Sequence, residues 1–390
     1  MKPTDKMTPL EMRATLSLAS IFALRMLGMF IILPVFALYA AHLPGGDNKA
    51  LMGMALGAYG LTQAFLQIPL GWLSDRIGRK TVIAGGLVIF ALGSFVAASA
   101  TNIMWIILGR AIQGSGAIAS AIVALVGDLT RESHRTKAMA SIGVTIGLTF
   151  SASMVLAPML YPLVGVPGLF ALTGIFSLLA ILVVLFVVPS PGTQASPPRG
   201  SLKLVLKTPE LLRLDFGIFI LHANLMATFV VIPNALVHDG FPQPDHWKLY
   251  LPVMVASFIL MIPGVAMSHG KHRKAVLLAC AATLVLAQLV LLAGLGSPWG
   301  IAIALLLFFI TFNVLEASLP SMITTVAPPG AKGAATGVFS SSQFLGVFFG
   351  ASMAGLLSRT FGPQAVPIFS ASLSALWFFA ARAIQFKKPD

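Results

Sequence analysis

The sequence is short of charge, and of acids above all. Only 9% of its 390 residues are charged, with 12 Asp and Glu against 25 Lys and Arg. A soluble domain carries about 25% charged residues, so a water-soluble enzyme of this length lacks the polar surface it needs. A hydrophobic content of 57% excludes a disordered chain as well. The single cysteine, Cys280, rules out a disulfide framework and a cysteine-based metal site. No GxxxxGK[ST] run is present, which argues against an ATP-driven pump within this polypeptide. Metal catalysis also lacks a basis, because His42, His134, His238, His246, His269 and His272 scatter along the chain without a helical ligand pair.

What the sequence does have is apolar stretches of one recurring length. Runs able to cross a bilayer as a helix of about 20 residues lie at 16–41, 50–73, 80–100, 103–128, 136–160 and 163–188, and again at 214–237, 248–268, 273–295, 299–326, 331–356 and 361–384. The first is longer than a secretory signal's apolar region of about 7–15 residues. A Pro- and Ser-rich segment (189–200) and a basic-apolar stretch to Arg213 separate the two sets. The expected fold is an all-α membrane protein of twelve transmembrane helices in two pseudo-symmetric six-helix bundles. Their bounds are 1–188 and 214–390, with a linker over 189–213. Spans eleven and twelve, interrupted by Gly and Pro, are the least regular.

A net charge of +13 raises the question of nucleic acid, and the distribution of the bases answers it. With alternate loops on opposite sides, twenty of the 25 bases fall on the N-terminal side. Lys49, Lys248 and Arg359 fall on the other, and Arg25 and Arg110 lie within spans. Positive charge marks the cytoplasmic side, so both termini are expected there, in the inner membrane of a bacterium. The expected partners are the lipid bilayer, protons and a small-molecule substrate. No nucleic acid and no cofactor are expected, and the chain is taken to act as a monomer.

The halves repeat at an offset of roughly 195 residues. Phe30-Ile-Ile-Leu-Pro34 answers Phe229-Val-Val-Ile-Pro233, and IPLGWLSDRIGRKTVI (Ile68 to Ile83) aligns with IPGVAMSHGKHRKAVL (Ile262 to Leu277). A doubled six-helix unit is a transporter architecture, with its site near the midplane between repeats.

Gly71-x-Leu73-x-Asp75-Arg76-x-Gly78-Arg79-Lys80, between spans two and three, resembles the loop signature of the major facilitator superfamily. Arg110-x-x-Gln113-Gly114-x-Gly116 in span four resembles a motif of that superfamily's drug:proton antiporter branch. Helix count, linker and repeat extend the resemblance over the whole chain. The runs from Arg25 to Phe30, TQAFLQIPLGWLSDRIGRK and LHANLMA are similar to the YajR-like efflux proteins. The chain ends at Asp390, without the added soluble C-terminal domain of that type, and the helix-five antiporter motif is present only in part, as Gly143, Gly147 and Ala157-Pro158. The resemblance implies alternating access, with the first and fourth helices of each half lining a central cavity. It also implies a conformational latch in the loop at 71–80, with Asp75 at its centre and Asp128 as partner through Arg79 or a nearby base.

Ionisable groups deep in a membrane span are expensive and mark function. Arg25, Arg110, His222 and Glu316 are therefore the candidates for proton coupling, and Glu316 is the only acid expected near the middle of a span. A carboxyl away from water can carry a proton reversibly, and an imidazole titrates near neutrality. Substrate-cavity candidates follow from mid-span polarity and soft apolar side chains: Gln63, Gln67, Gln113, Asn224, Asn313, Met26, Met29 and Phe229. Gly53-x-x-x-Gly57 and Gly346-x-x-x-Gly350 are expected at equivalent places where the halves meet. The expected function is proton-coupled efflux of small amphipathic molecules. The alternatives are a symporter or facilitator importing a sugar or organic acid, and a non-transporting receptor or scaffold.

Overall fold

The computed structural model describes residues 6–190, 202–268, 272–328 and 330–386, and among them every regular element is helical. The first span is broken in two, α1 (Pro9–Phe30) and α2 (Leu33–Ala40), with Pro34 in the first turn of the second piece. Proline fits there because its missing N–H would have had no intrahelical partner. The second and third spans are α3 (Lys49–Ile77) and α4 (Arg79–Ala98). The fourth is again broken, into α5 (Ile103–Ser115) and α6 (Ala119–Leu129). The fifth and sixth form one continuous element, α7 (Glu132–Leu182), divided by Gly165 at φ 63° and ψ 179°, a conformation that only glycine adopts at ease.

A short helix, α8 (Leu202–Leu206), precedes the second set: α9 (Pro209–His238), α10 (His246–Met267), α11 (Arg273–Gly294), α12 (Pro298–Val326), α13 (Lys332–Thr360) and α14 (Ala365–Arg382). Ten stretches are long and apolar enough to cross a membrane by themselves. Dividing α7 at Gly165 and adding α3, whose Gln63 and Gln67 depress its hydropathy, gives twelve spans in two sets of six.

Three details differ from the sequence reading. The breaks fall in spans one and four, while α13 and α14 run without interruption. The seventh span begins at Pro209, so the last residues of the expected linker are helical, as is α8; residues 191–201 of that linker lie outside the described residues. Most of the expected loop at 71–80 is helix, since α3 continues to Ile77 and α4 starts at Arg79. Gly78 alone makes the turn, at φ 98°.

The internal repeat is visible in three dimensions. α4 begins at Arg79 and α11 at the aligned Arg273. Just before each start, aligned serines donate to backbone carbonyls one turn back: Ser74 to Gly71 at 2.6 Å and Ser268 to Val265 at 2.7 Å.

The two halves meet mainly along α3 and α13. A Cβ added to Gly57 would lie 2.9 Å from the Phe348 carbonyl oxygen, and one on Gly60 would lie 2.6 Å from that of Phe344, so the backbones touch. Gly53 sits likewise against Ala351, and Ser341 Oγ donates to the Ala64 carbonyl at 3.1 Å. Gly346 and Gly350 do not share this seam. They press against the Phe219 and Ala223 carbonyls of α9, inside the second half. The two GxxxG motifs are therefore not equivalent, because α13 turns one face to α3 and another to α9.

Candidate functional site

At the face of the protein rich in bases, the motif residues gather around Arg79. Its guanidinium pairs with Asp75, donates through Nη1 to Ser74 Oγ at 2.7 Å, and donates through Nε to Asp128 Oδ2 of α6 at 3.2 Å. The Gly78 turn explains the first contact, since it brings Arg79 at the start of α4 back onto Asp75 in the last turn of α3. Gly71 lets α3 approach α6, where an added Cβ would meet Ser120 Oγ at 2.8 Å. Arg76 lies over the Trp72 ring at 3.5 Å, and Lys80 Nζ donates to the Val188 carbonyl at 3.0 Å. One arginine thus ties the ends of spans two, three and four together.

Inside the first half, Arg25 and Arg110 share one aromatic neighbour. Arg25 is fully buried and donates through Nη2 to Tyr59 Oη (2.8 Å) and Gln63 Oε1 (2.6 Å). It also reaches the Gly116 carbonyl at 3.4 Å, an acceptor set free by the break between α5 and α6. Gln63 Nε2 in turn donates to Gln67 Oε1 at 3.2 Å. Arg110 donates to Gln113 Oε1 at 3.0 Å, one turn on, and Gln113 Nε2 donates to Ser94 Oγ of α4 at 2.8 Å. Both guanidinium carbons lie within cation–π range of Tyr59, at 5.9 and 5.1 Å. Arg25, Arg110, Gln63, Gln67 and Gln113 are thereby brought into one buried polar core, with Gln113 turned toward α4.

In the second half, three side chains from three helices meet. His222 of α9 has Nδ1 at 3.2 Å from the Ile218 carbonyl. A carbonyl only accepts, so Nδ1 carries the hydrogen and Nε2 presents a lone pair. Gln343 Nε2 of α13 donates to that lone pair at 2.8 Å and to Glu316 Oε1 of α12 at 3.3 Å. Glu316 Oε2 lies 3.9 Å from His222 Nε2 and has no hydrogen-bond partner among the described residues. The Glu316 side chain is 29% exposed and that of His222 only 7%, so the carboxyl is the outer group and the imidazole the inner one.

The remaining candidates do not all converge on this triad. Asn224 donates to Ser374 of α14 at 2.6 Å, away from His222, and Asn313 donates to Ser257 of α10 at 3.2 Å. Met26 and Met29 are buried on α1, and Phe229 packs on Tyr250 and Phe309. An aromatic cluster crosses between the halves beside the triad. Phe150 of α7 lies 4.8 Å from Phe30 of α1 and 5.4 and 5.9 Å from Phe309 and Phe312 of α12, ring centroid to centroid. Phe312 in turn lies 5.5 Å from the His222 ring.

Two buried polar contacts escape a reading of the sequence. Gln343 is one polar residue in a small-residue span, and its only signal is an amide at mid-helix. Glu11 closes a capping box with Thr8 and, 3% exposed, accepts from the Arg131 backbone and guanidinium at 2.9 Å, tying the start of α1 to the α6–α7 junction. The T-x-x-E spacing was the available sign.

A family model described as Major Facilitator Superfamily matches residues 18–351. The chain is 46% identical over 386 residues to the inner membrane transport protein YajR of Escherichia coli (strain K12), covering 97% of this chain and 85% of that protein. Among solved structures, a bacterial homologue of the human lysosomal transporter Spinster, in an inward-facing and occupied conformation, superposes with a TM-score of 0.80 at 14% identity over 97% of this chain and 98% of that one. The human organic anion transporter MFSD10 gives a TM-score of 0.72 at 20% identity, over 96% and 100%.

Proposed function

The chain belongs to the major facilitator superfamily, and from that premise we propose that this transporter exports small amphipathic molecules in exchange for protons. The observation that carries the reading is the Gln343 bridge between His222 and Glu316. The amide donates to both groups, an arrangement that fits a neutral imidazole beside a carboxyl. When a proton moves to His222 Nε2, two N–H groups face each other and the amide has to turn. Gln343 sits on α13, and two residues away Ser341 is bonded to α3 of the other half. Proton occupancy is thereby linked to the seam along which the halves rock.

The substrate passes between the halves where Phe30, Phe150, Phe309 and Phe312 now meet. Aromatic and methionine side chains present adaptable apolar surface, suited to cargo of varied shape. Arg25 and Arg110 hold spans one and four against span two through Tyr59, Gln63 and the Leu56 carbonyl, Gln113 ties Arg110 to span three, and both arginines respond to charge in the cavity. The basic face is the cytoplasmic face, with both termini on it, and residues 189–213 join two bundles that move as units.

Sealed proteoliposomes with a pH dye inside test the reading. With an acidic lumen, an exchanged substrate added outside enters as protons leave, so the lumen alkalinises. A symported sugar or organic acid acidifies it, which would favour the importing alternative. No pH change with any amphipathic substrate that is itself taken up sinks proton coupling.

The Arg79 cluster serves as the latch of this cycle. Asp75→Asn removes a charge from the Arg79 pair while keeping its shape, and charge-assisted bonds are roughly twice as strong as neutral ones. Transport is expected to fall several-fold at normal membrane insertion, measured by uptake per reconstituted molecule; unchanged uptake removes the latch role.

A further inference from the structure

One buried carboxyl has no part in the chemistry above. Asp215 of α9 is 5% exposed, and among the described residues neither of its carboxylate oxygens has a hydrogen-bond partner. It lies in the second turn of α9, past the reach of the helix-end dipole, which falls off within the first turn. Seven residues separate it from His222, about two turns or roughly 10 Å along the axis, which places both on one face of the helix.

Among the described residues, the ionisable groups around this end of α9 offer it no compensation. On α9 itself Glu210 and Arg213 pair with each other at 3.5 Å, and Arg213 Nη1 donates to the Ala383 carbonyl at 3.2 Å. Lys203 on α8, Lys207 before α9, Lys332 on α13 and Arg382 on α14 are exposed, and the acid on α12 is Glu316, already bonded to Gln343. Toward α14 the way is closed: the fully buried Trp377 donates its indole N–H to the Arg213 carbonyl at 3.2 Å and packs onto Gly217. An ionised carboxylate left buried without a partner is expensive, whereas a neutral carboxyl is far less so. What the site can hold is a proton.

We infer that Asp215 is a proton-binding site of α9, a station between His222 and the basic face through which protons of the His222–Glu316 pair reach the cytoplasm. Its role as a station rests on the proton-exchange reading above; its occupancy by a proton does not. A proton passes from the Asp215 carboxyl to water at the basic face, and the carboxylate takes the next one from His222 by way of intervening water, so charge is conserved at each transfer.

Two measurements on the full-length protein in lipid bilayers test this. Infrared difference spectra between alkaline and neutral pH are expected to contain a protonated-carboxyl C=O stretch that Asp215→Asn removes and Glu316→Gln leaves in place. No band sensitive to Asp215→Asn overturns the inference. In proteoliposomes, Asp215→Asn is expected to slow substrate-driven proton movement by about tenfold or more, with substrate-for-substrate exchange near wild type and Asp215→Glu restoring proton movement. Retained exchange shows the fold intact. Proton movement at the wild-type rate in Asp215→Asn, or equal loss of exchange in both variants, overturns the relay. If the wild type moves no protons with any substrate, the exchange reading fails, and the infrared band still decides the site.

Discussion

Glu316→Gln is expected to abolish substrate-driven proton movement while substrate-for-substrate exchange continues. The substitution is nearly isosteric, and its amide still accepts from Gln343 through its oxygen, so packing between α12 and α13 is preserved. What disappears is the only group of the triad that is both acidic and partly exposed. His222 remains, but with Nδ1 bonded to Ile218 and Nε2 held by Gln343 its exchange of protons with the cavity runs past residue 316. Coupling is therefore expected to fall by about a hundredfold, within the range that positioned acid–base groups contribute to proton transfer. The check is lumenal pH and labelled-substrate exchange on the same proteoliposomes. Equal loss of both would mark Glu316 as a substrate ligand or a structural residue, and loss of neither would remove it from the mechanism. Gln343→Leu separates carrier from transmitter. It leaves both titratable groups in place and is expected to loosen the ratio of protons to substrate rather than abolish proton movement.

The fold was legible in the sequence because a bilayer leaves few choices. Apolar runs of one length, separated by bases on alternate sides, fix the number of helices, and the alignment of Ile68–Ile83 with Ile262–Leu277 fixes their grouping. Polar residues in such runs stand out for the same reason, which is why Arg25, Gln63, Arg110 and Gln113 could be picked out and are found in one buried core. Illegible were the features that depend on which way a helix faces. Asn224 and His222 are two residues apart and point to different neighbours, Ser374 and Gln343. Gly57 and Gly346 carry the same motif, yet one meets the other half and one meets its own. Gln343 gains meaning only through contacts with residues 27 and 121 positions away. Asp215 sits at the start of the expected span 214–237 with no motif around it, and its burial and lack of a hydrogen-bond partner among the described residues distinguish it.

The seam supplies the second large effect. Gly57→Leu is expected to stop transport without unfolding either half. Gly57 faces backbone, with the Phe348 carbonyl oxygen 2.9 Å and its Cα 3.1 Å from where a Cβ would stand, and backbone cannot swing aside as a flexible side chain can. Overpacking of this kind costs about 1–3 kcal/mol, enough to shift a two-state ratio by a factor of about 5 to 150. The strain falls on contacts between α3 and α13, not on contacts within a bundle, so the state in which these helices touch is disfavoured and the alternative accumulates. Gly85→Leu is the control. It lies on α4 with nothing within 4 Å of an added Cβ, and its transport is expected to stay at wild type. A cysteine at Ser341, next to the Ala64 carbonyl, reports the opening directly. Its labelling by a membrane-permeant thiol reagent is expected to rise in the Gly57→Leu background and to remain low in the Gly85→Leu one. The buried Cys280 is replaced by Ser in every background labelled. Equal labelling with lost transport would mean that the helices part elsewhere, and equal labelling with full transport would mean that this contact is not the one that breaks in each cycle. Because Gln343 lies two residues beyond Ser341 on the same helix, the same label is expected to respond to pH in the wild type and to lose that response in Glu316→Gln, which joins the proton site and the seam in one measurement.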